Sequence, residues 1–117
     1  MTSKAKSGLE VWTTERCYIT ELLNSDSQPE VSIARTRVEP GVTTQLHQLS
    51  VFEWYVIESG QGLMQVGDET PVSVGPGDTI AIPKHAAQQI TNTGQEDLIF
   101  LCVCTPRFLQ DCYTSLE

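Results

Sequence analysis

The chain has 117 residues, enough for one domain that buries roughly two-thirds of its unfolded surface and too few for two. Hydrophobic residues make up 39% of it, and no apolar run is long enough to cross a membrane. Fifteen acidic residues against seven lysines and arginines give a formal net charge of -8; such a surface repels phosphate backbones and anionic lipid, so neither nucleic acid nor a membrane is an expected partner.

Residues 1–10 carry Lys4 and Lys6 but no apolar stretch behind them, which does not read as a secretory signal. They are expected to form a flexible start to a cytoplasmic protein, with the folded domain over 11–117. Cys17, Cys102, Cys104 and Cys112 then fall in a reducing compartment and are expected as thiols rather than bridges.

Past residue 10 the chain alternates apolar and polar residues in short runs: 16–22, 31–38, 52–57, 62–66, 79–82 and 98–104. Between them lie turn formers, among them Glu39-Pro40-Gly41, Gly67-Asp68 and Gly75-Pro76-Gly77-Asp78. Alternation with a period of two predicts half-buried strands, and many short strands at regular spacing predict an all-β sandwich or barrel. Only the tail, 106–117, is expected to hold a helical turn. Residues 11–23 offer a sheet edge that would gain from cover, and a homodimer is expected on that ground.

From Gly41 the sequence runs GVTTQLHQLSVFEWYVIESG, with five residues between Gly41 and His47, five between His47 and Glu53, and six between Glu53 and Gly60. Sixteen residues further on comes GDTIAIPKHAAQQITN, with Gly77, Pro83 and Asn92. The two stretches resemble the paired motifs of the cupin superfamily, in its small stand-alone bacterial form. That resemblance implies an all-β double-stranded β-helix, or jelly-roll barrel, in a single domain. Two departures stand out: Leu49 occupies the second histidine position of the first motif, and Gln88 the histidine position of the second. His85 stands where the second motif has a glycine.

On a strand, alternate side chains share a face, so His47 goes with Leu49, and Glu53 with Tyr55 and Ile57. In metal-bearing cupins the corresponding histidines and glutamate converge inside the barrel. Here His47, Glu53 and the neutral amide of Gln88 are the candidate metal ligands, for one divalent ion such as iron, manganese, nickel or zinc, weakly bound or absent. Alternatively His47 and Glu53 act without metal as an acid-base pair, or they are a satisfied internal pair with no chemistry. Tyr55 is a candidate catalytic hydroxyl or a core filler. Arg35 and Arg37 share a face with Ile33; inward they would bind an anionic group of a ligand, outward they are solvated. His85 is a candidate ligand-binding residue in a turn, where histidine tolerates positive φ. Cys102 and Cys104 share a face, as inert core thiols or as a soft-metal pair.

The expected function is action on, or binding of, a small molecule in an internal pocket. Three readings stay open: a weakly metal-dependent enzyme of isomerase, lyase or dioxygenase type, a metal-free acid-base enzyme, and a ligand-binding or sensory module without turnover.

Overall fold

The computed structural model describes residues 2–117. Residues 2–10 have no regular secondary structure, yet two points tie them down: the Gly8 amide donates to the Glu21 carbonyl at 2.8 Å, and Glu10 pairs with Arg37 at 2.9 Å. Eleven strands follow: β1 (Val11–Trp12), β2 (Tyr18–Leu23), β3 (Ser32–Val38), β4 (His47–Leu49), β5 (Phe52–Ser59), β6 (Gly62–Val66), β7 (Val72–Val74), β8 (Thr79–Ile82), β9 (Gln88–Asn92), β10 (Leu98–Thr105) and β11 (Tyr113–Ser115). A single 3₁₀ turn, Gln110–Cys112, precedes the last strand, so the tail holds both a helical turn and a strand.

The strands form two antiparallel sheets, in the orders β1-β2-β3-β10-β5-β8 and β11-β4-β9-β6-β7. Register places the inward positions around the cavity in line across the first sheet. Ala34 pairs with Cys102, which pairs with Tyr55, which pairs with Ile80; one pleat along, Cys104 pairs with Glu53, which pairs with Ile82. One end of the barrel is filled by Val38, Ile57, Met64, Ile82, Ile90, Leu98 and Phe100, each nearly inaccessible to solvent. Each such aliphatic or aromatic side chain contributes about 1.5–3 kcal/mol by leaving water. A smaller cluster of Leu49, Val51, Cys104 and Cys112 closes the other side under the tail.

Two motif residues explain the framework. Gly60 has φ +88°, and a Cβ there would meet the Asp97 carbonyl oxygen at 2.6 Å, so only glycine lets the end of β5 lie this close to the start of β10. Asn92 is buried with its amide fully used: Nδ2 donates to the carbonyls of Val38 and Glu96 at 2.8 Å each, and Oδ1 accepts from the Gly94 amide at 2.9 Å. It stitches the sheets together where no backbone ladder does.

Candidate functional site

Between the filled end and the N-terminal strands lies a cavity of about 350 Å³. Apolar wall comes from Leu9, Val11, Ile19, Leu23, Leu49 and Phe108, and the polar groups that reach it include Glu15, Glu21, His47, Glu53, Tyr55 and Tyr113.

His47 lies on β4, opposite Gln88 of β9 and Ser115 of β11, and is 3% exposed. Its Nδ1 is 2.7 Å from the Gln45 carbonyl oxygen. A carbonyl only accepts, so Nδ1 carries the hydrogen and Nε2 keeps the lone pair. Nε2 lies 3.9 Å from Oε1 of Glu15. Burial pushes the imidazole below its ordinary value, with the Gln45 bond offsetting part of that, so the ring is neutral at pH 7. The ring stacks on Tyr113, centroids 4.7 Å apart and planes 15° from parallel, and the Tyr113 hydroxyl donates to the side-chain oxygen of Gln45.

Glu15 stands in the turn between β1 and β2, and its carbonyl accepts from the Gln45 amide at 3.0 Å. Gln45 therefore holds Glu15, His47 and Tyr113 in one arrangement. Burial raises the Glu15 carboxyl to about 7, where it exchanges a proton near neutrality. The turn is clamped from outside: Arg16 donates to the Thr43 carbonyl at 2.9 Å and forks onto Glu117 at 2.9 and 2.7 Å, while Glu117 also accepts from the Leu46 amide at 2.7 Å. One carboxylate thus touches the neighbour of Glu15 and the neighbour of His47.

Glu53 and Tyr55 point inward from β5, as strand parity requires, and both line the cavity. The Gln88 amide nitrogen donates to Glu53 Oε1 at 2.7 Å and to the Tyr55 hydroxyl at 3.0 Å, and Cys104 Sγ lies 3.6 Å from Glu53 Oε2. Burial raises the Glu53 carboxyl to about 7, with the Gln88 bond opposing. The Tyr55 hydroxyl is pushed far up by burial and stays protonated.

His47, Glu53 and Gln88 do not present a cation site. The edge of Gln88 that faces Glu53 is its N–H edge, a donor that no metal accepts, and its buried oxygen has no partner. Among the described residues no three His, Cys, Asp or Glu side chains gather as a ligand cluster. As oriented, the set offers a cation only the His47 lone pair and the Glu53 carboxyl.

Arg35 and Arg37 do not line the cavity. Inward positions on β3 go to Ser32, Ala34, Thr36 and Val38, so the arginines face out; Arg35 pairs with Glu58 at 3.1 Å, and Arg37 with Glu10 at 2.9 Å and Asp97 at 3.2 Å. His85 has φ 65° in the turn before β9, its amide donates to the Leu49 carbonyl at 2.7 Å, and its exposed side chain lies off the cavity wall. Cys102 and Cys104 are free thiols, pushed up by burial and so unreactive; Cys102 Sγ lies 3.2 Å from Thr36 Oγ1. Sequence reasoning misses Glu15, which belongs to no motif and no periodic run, and Tyr113, which lies in the tail. Only tertiary contact brings them to His47.

A family profile described as "Cupin domain" matches residues 34–104. Among solved structures, Streptomyces PAC13, captured as a variant with uridine and described as a nucleoside dehydratase, superposes with a TM-score of 0.81 at 18% identity, covering 100% of this chain and 92% of that one. An uncharacterized conserved protein with a double-stranded β-helix domain from Klebsiella pneumoniae gives 0.76 at 16% identity, covering 90% and 88%. Oxalate decarboxylase from Bacillus subtilis gives 0.77 at 22% identity over 96% of this chain but only 30% of its own. No curated protein matches the sequence. With the profile spanning more than half of the residues and the barrel topology in agreement, the chain belongs to the cupin family.

Proposed function

We propose that the protein is a metal-independent acid-base enzyme acting on a small hydroxylated molecule, with His47 as base and Glu15 as its proton-donating partner. The observation that carries this reading is the fixed tautomer of His47: with Nδ1–H held by Gln45, a neutral imidazole offers its Nε2 lone pair to the cavity, 3.9 Å from a carboxyl that titrates near 7. A neutral imidazole and a carboxyl that titrates near 7, side by side in a partly dry pocket, suit removal of water from a β-hydroxy carbonyl compound. Nε2 takes the proton from the carbon next to the carbonyl, the C–H electrons form the new C=C bond, and the C–O bond breaks as Glu15 protonates the departing hydroxyl. The products are the unsaturated carbonyl compound and water.

The likeness in fold to a nucleoside dehydratase over the whole chain supports the same direction. Nucleosides, uridine included, are accordingly the first ligands to test. Glu53 has a second role in this reading: hydrogen-bonded by Gln88, which also donates to Tyr55, it polarises the floor of the pocket. Incubating the protein with a panel of hydroxylated carbonyl compounds and nucleosides and reading loss of one water by mass spectrometry is the test. No product from any of them, with binding intact, would leave the non-catalytic ligand-binding reading in its place.

For assembly we propose a homodimer. β1 is an edge strand whose Val11 and Trp12 are more than half exposed, beside Leu9 at 87%, an apolar strip that a second copy would cover. The four free thiols support a reducing, cytoplasmic location.

A further inference from the structure

We propose that Glu21, with Glu15 and Glu53 behind it, makes the cavity selective for ligands that carry no anionic group, so that it takes the free alcohol and refuses its phosphate ester or carboxylate. This rests on the cavity being the reaction site proposed above and names its class of substrate.

Glu21 is the one residue of β2 exposed to solvent, and register places it opposite Ala34, an inward position, so its carboxylate stands at the mouth and not on the outer face. It has no ion-pair partner among the described residues. Deeper in are Glu15 and Glu53. Against three carboxyls, no lysine or arginine lines the cavity among the described residues, although the chain has seven.

Each of those seven is placed elsewhere. Arg16 is spent on Glu117, Arg35 on Glu58, and Arg37 on Glu10 and Asp97. Arg107 donates to Asn24 Oδ1 at 2.7 Å from behind the wall. Lys4 and Lys84 are exposed, and Lys6 lies outside the cavity lining, in an adjoining depression whose wall includes Glu21. An anion entering would lose hydration, meet the exposed Glu21 carboxylate at the mouth, and find no fork of donors to replace its water. What the cavity does offer is two acceptors, the Glu21 carboxylate and the buried Nε2 of His47, and in Glu15 a carboxyl that can donate or accept, all set in an apolar wall. Those groups match hydroxyls and N–H groups on a neutral molecule with one apolar face.

The test uses matched pairs on the whole chain: uridine with uridine 5′-monophosphate, and free sugars with their phosphates, read by calorimetry and by the rise in Tm at low and high salt. The expected result is binding of neutral members with phosphate esters at least about tenfold weaker, a gap that narrows as salt screens the carboxylates. Glu21→Lys, at an exposed position where folding is not at stake, should close most of that gap. Tighter binding of any phosphate ester than of its parent alcohol, no binding by any neutral member, or a gap unmoved by Glu21→Lys would overturn the proposal. Product assays on the wild type separate the two readings. Selectivity that persists in a wild-type protein forming no product from any substrate sinks the catalysis and keeps the selectivity. Turnover of a phosphorylated substrate by the wild type does the reverse.

Discussion

The Nδ1 atom of His47 lies 2.7 Å from the carbonyl oxygen of Gln45, and that single contact decides which end of the imidazole faces the cavity. If Nε2 is the base, His47→Ala should lower kcat by about 10²–10⁴, the usual weight of general-base catalysis. Binding of the neutral ligand should be weakened far less. Steady-state kinetics alongside calorimetry check the split; equal losses in binding and rate would reduce His47 to a packing residue.

The pH profile of kcat/KM should be bell-shaped. Activity needs neutral His47, whose pKa burial places below its ordinary 6.5, so the acid limb falls under that value. It also needs protonated Glu15, so the alkaline limb falls as pH rises through about 7. Glu15→Gln removes the proton donor and with it the alkaline limb, leaving a low rate that stays flat above pH 7. Retention of the limb in that variant would assign it to another group.

Stability should decline from mildly acidic to mildly alkaline pH. Burial raises the folded Glu53 carboxyl to about 7 from an ordinary 4.5, so the folded state keeps a proton that the unfolded chain releases between those values. The contribution is fully present below 4.5 and lost as pH rises through 7, an effect of about 3 kcal/mol for this one group. Glu53→Gln keeps an acceptor for Gln88 and cannot ionise, so its Tm should vary less with pH and exceed that of the wild type at pH 8. Thermal melts at pH 5 and pH 8 give both numbers, and an unchanged pH dependence in the variant would rule Glu53 out as the cause.

Metal should be dispensable. Protein dialysed against a chelator should keep its turnover, and elemental analysis after exposure to iron, manganese, nickel or zinc should give well below one ion per chain. Replacing Leu49 and Gln88 together by histidine supplies two imidazoles to the face that His47 and Glu53 already share, and that double variant should acquire metal. A wild-type preparation holding one ion per chain, with activity lost on chelation, would restore the metal-dependent reading.

Light scattering should give twice the 12.9 kDa chain mass. Val11→Lys combined with Trp12→Lys places charge on the exposed edge strand and should yield monomer with an unchanged circular dichroism spectrum. A dimer that survives the pair would move the interface elsewhere.

Much of the barrel is legible in the sequence because β3, β5, β6, β8 and β10 alternate with period two and are separated by turns, four of whose glycines, Gly41, Gly60, Gly67 and Gly77, take positive φ. β9 escapes that reading for a physical reason. Gln88 and Asn92 are each 1% exposed, so two of its inward side chains are hydrogen-bonded amides and only Ile90 shows as apolar. β1 and β4, at two and three residues, are too short to display any period. In the site, Glu53 and Tyr55 follow from parity on one strand, while the partner nearest the His47 lone pair, Glu15, sits in a turn 32 positions away in sequence. Its role depends on the backbone bond from Gln45 to Glu15, a tertiary fact with no local sequence signal.

The clamp formed by Arg16 and Glu117 bears on all of this from the outside. Its side chains are 43% and 38% exposed, so dissolved ions compete for it, whereas the acid and base it braces lie within. On the proposed chemistry, the bracing of proton donor and acceptor should therefore loosen as ionic strength rises, through a contact outside the cavity lining. Rates in dilute and in concentrated salt should then differ even for an uncharged substrate.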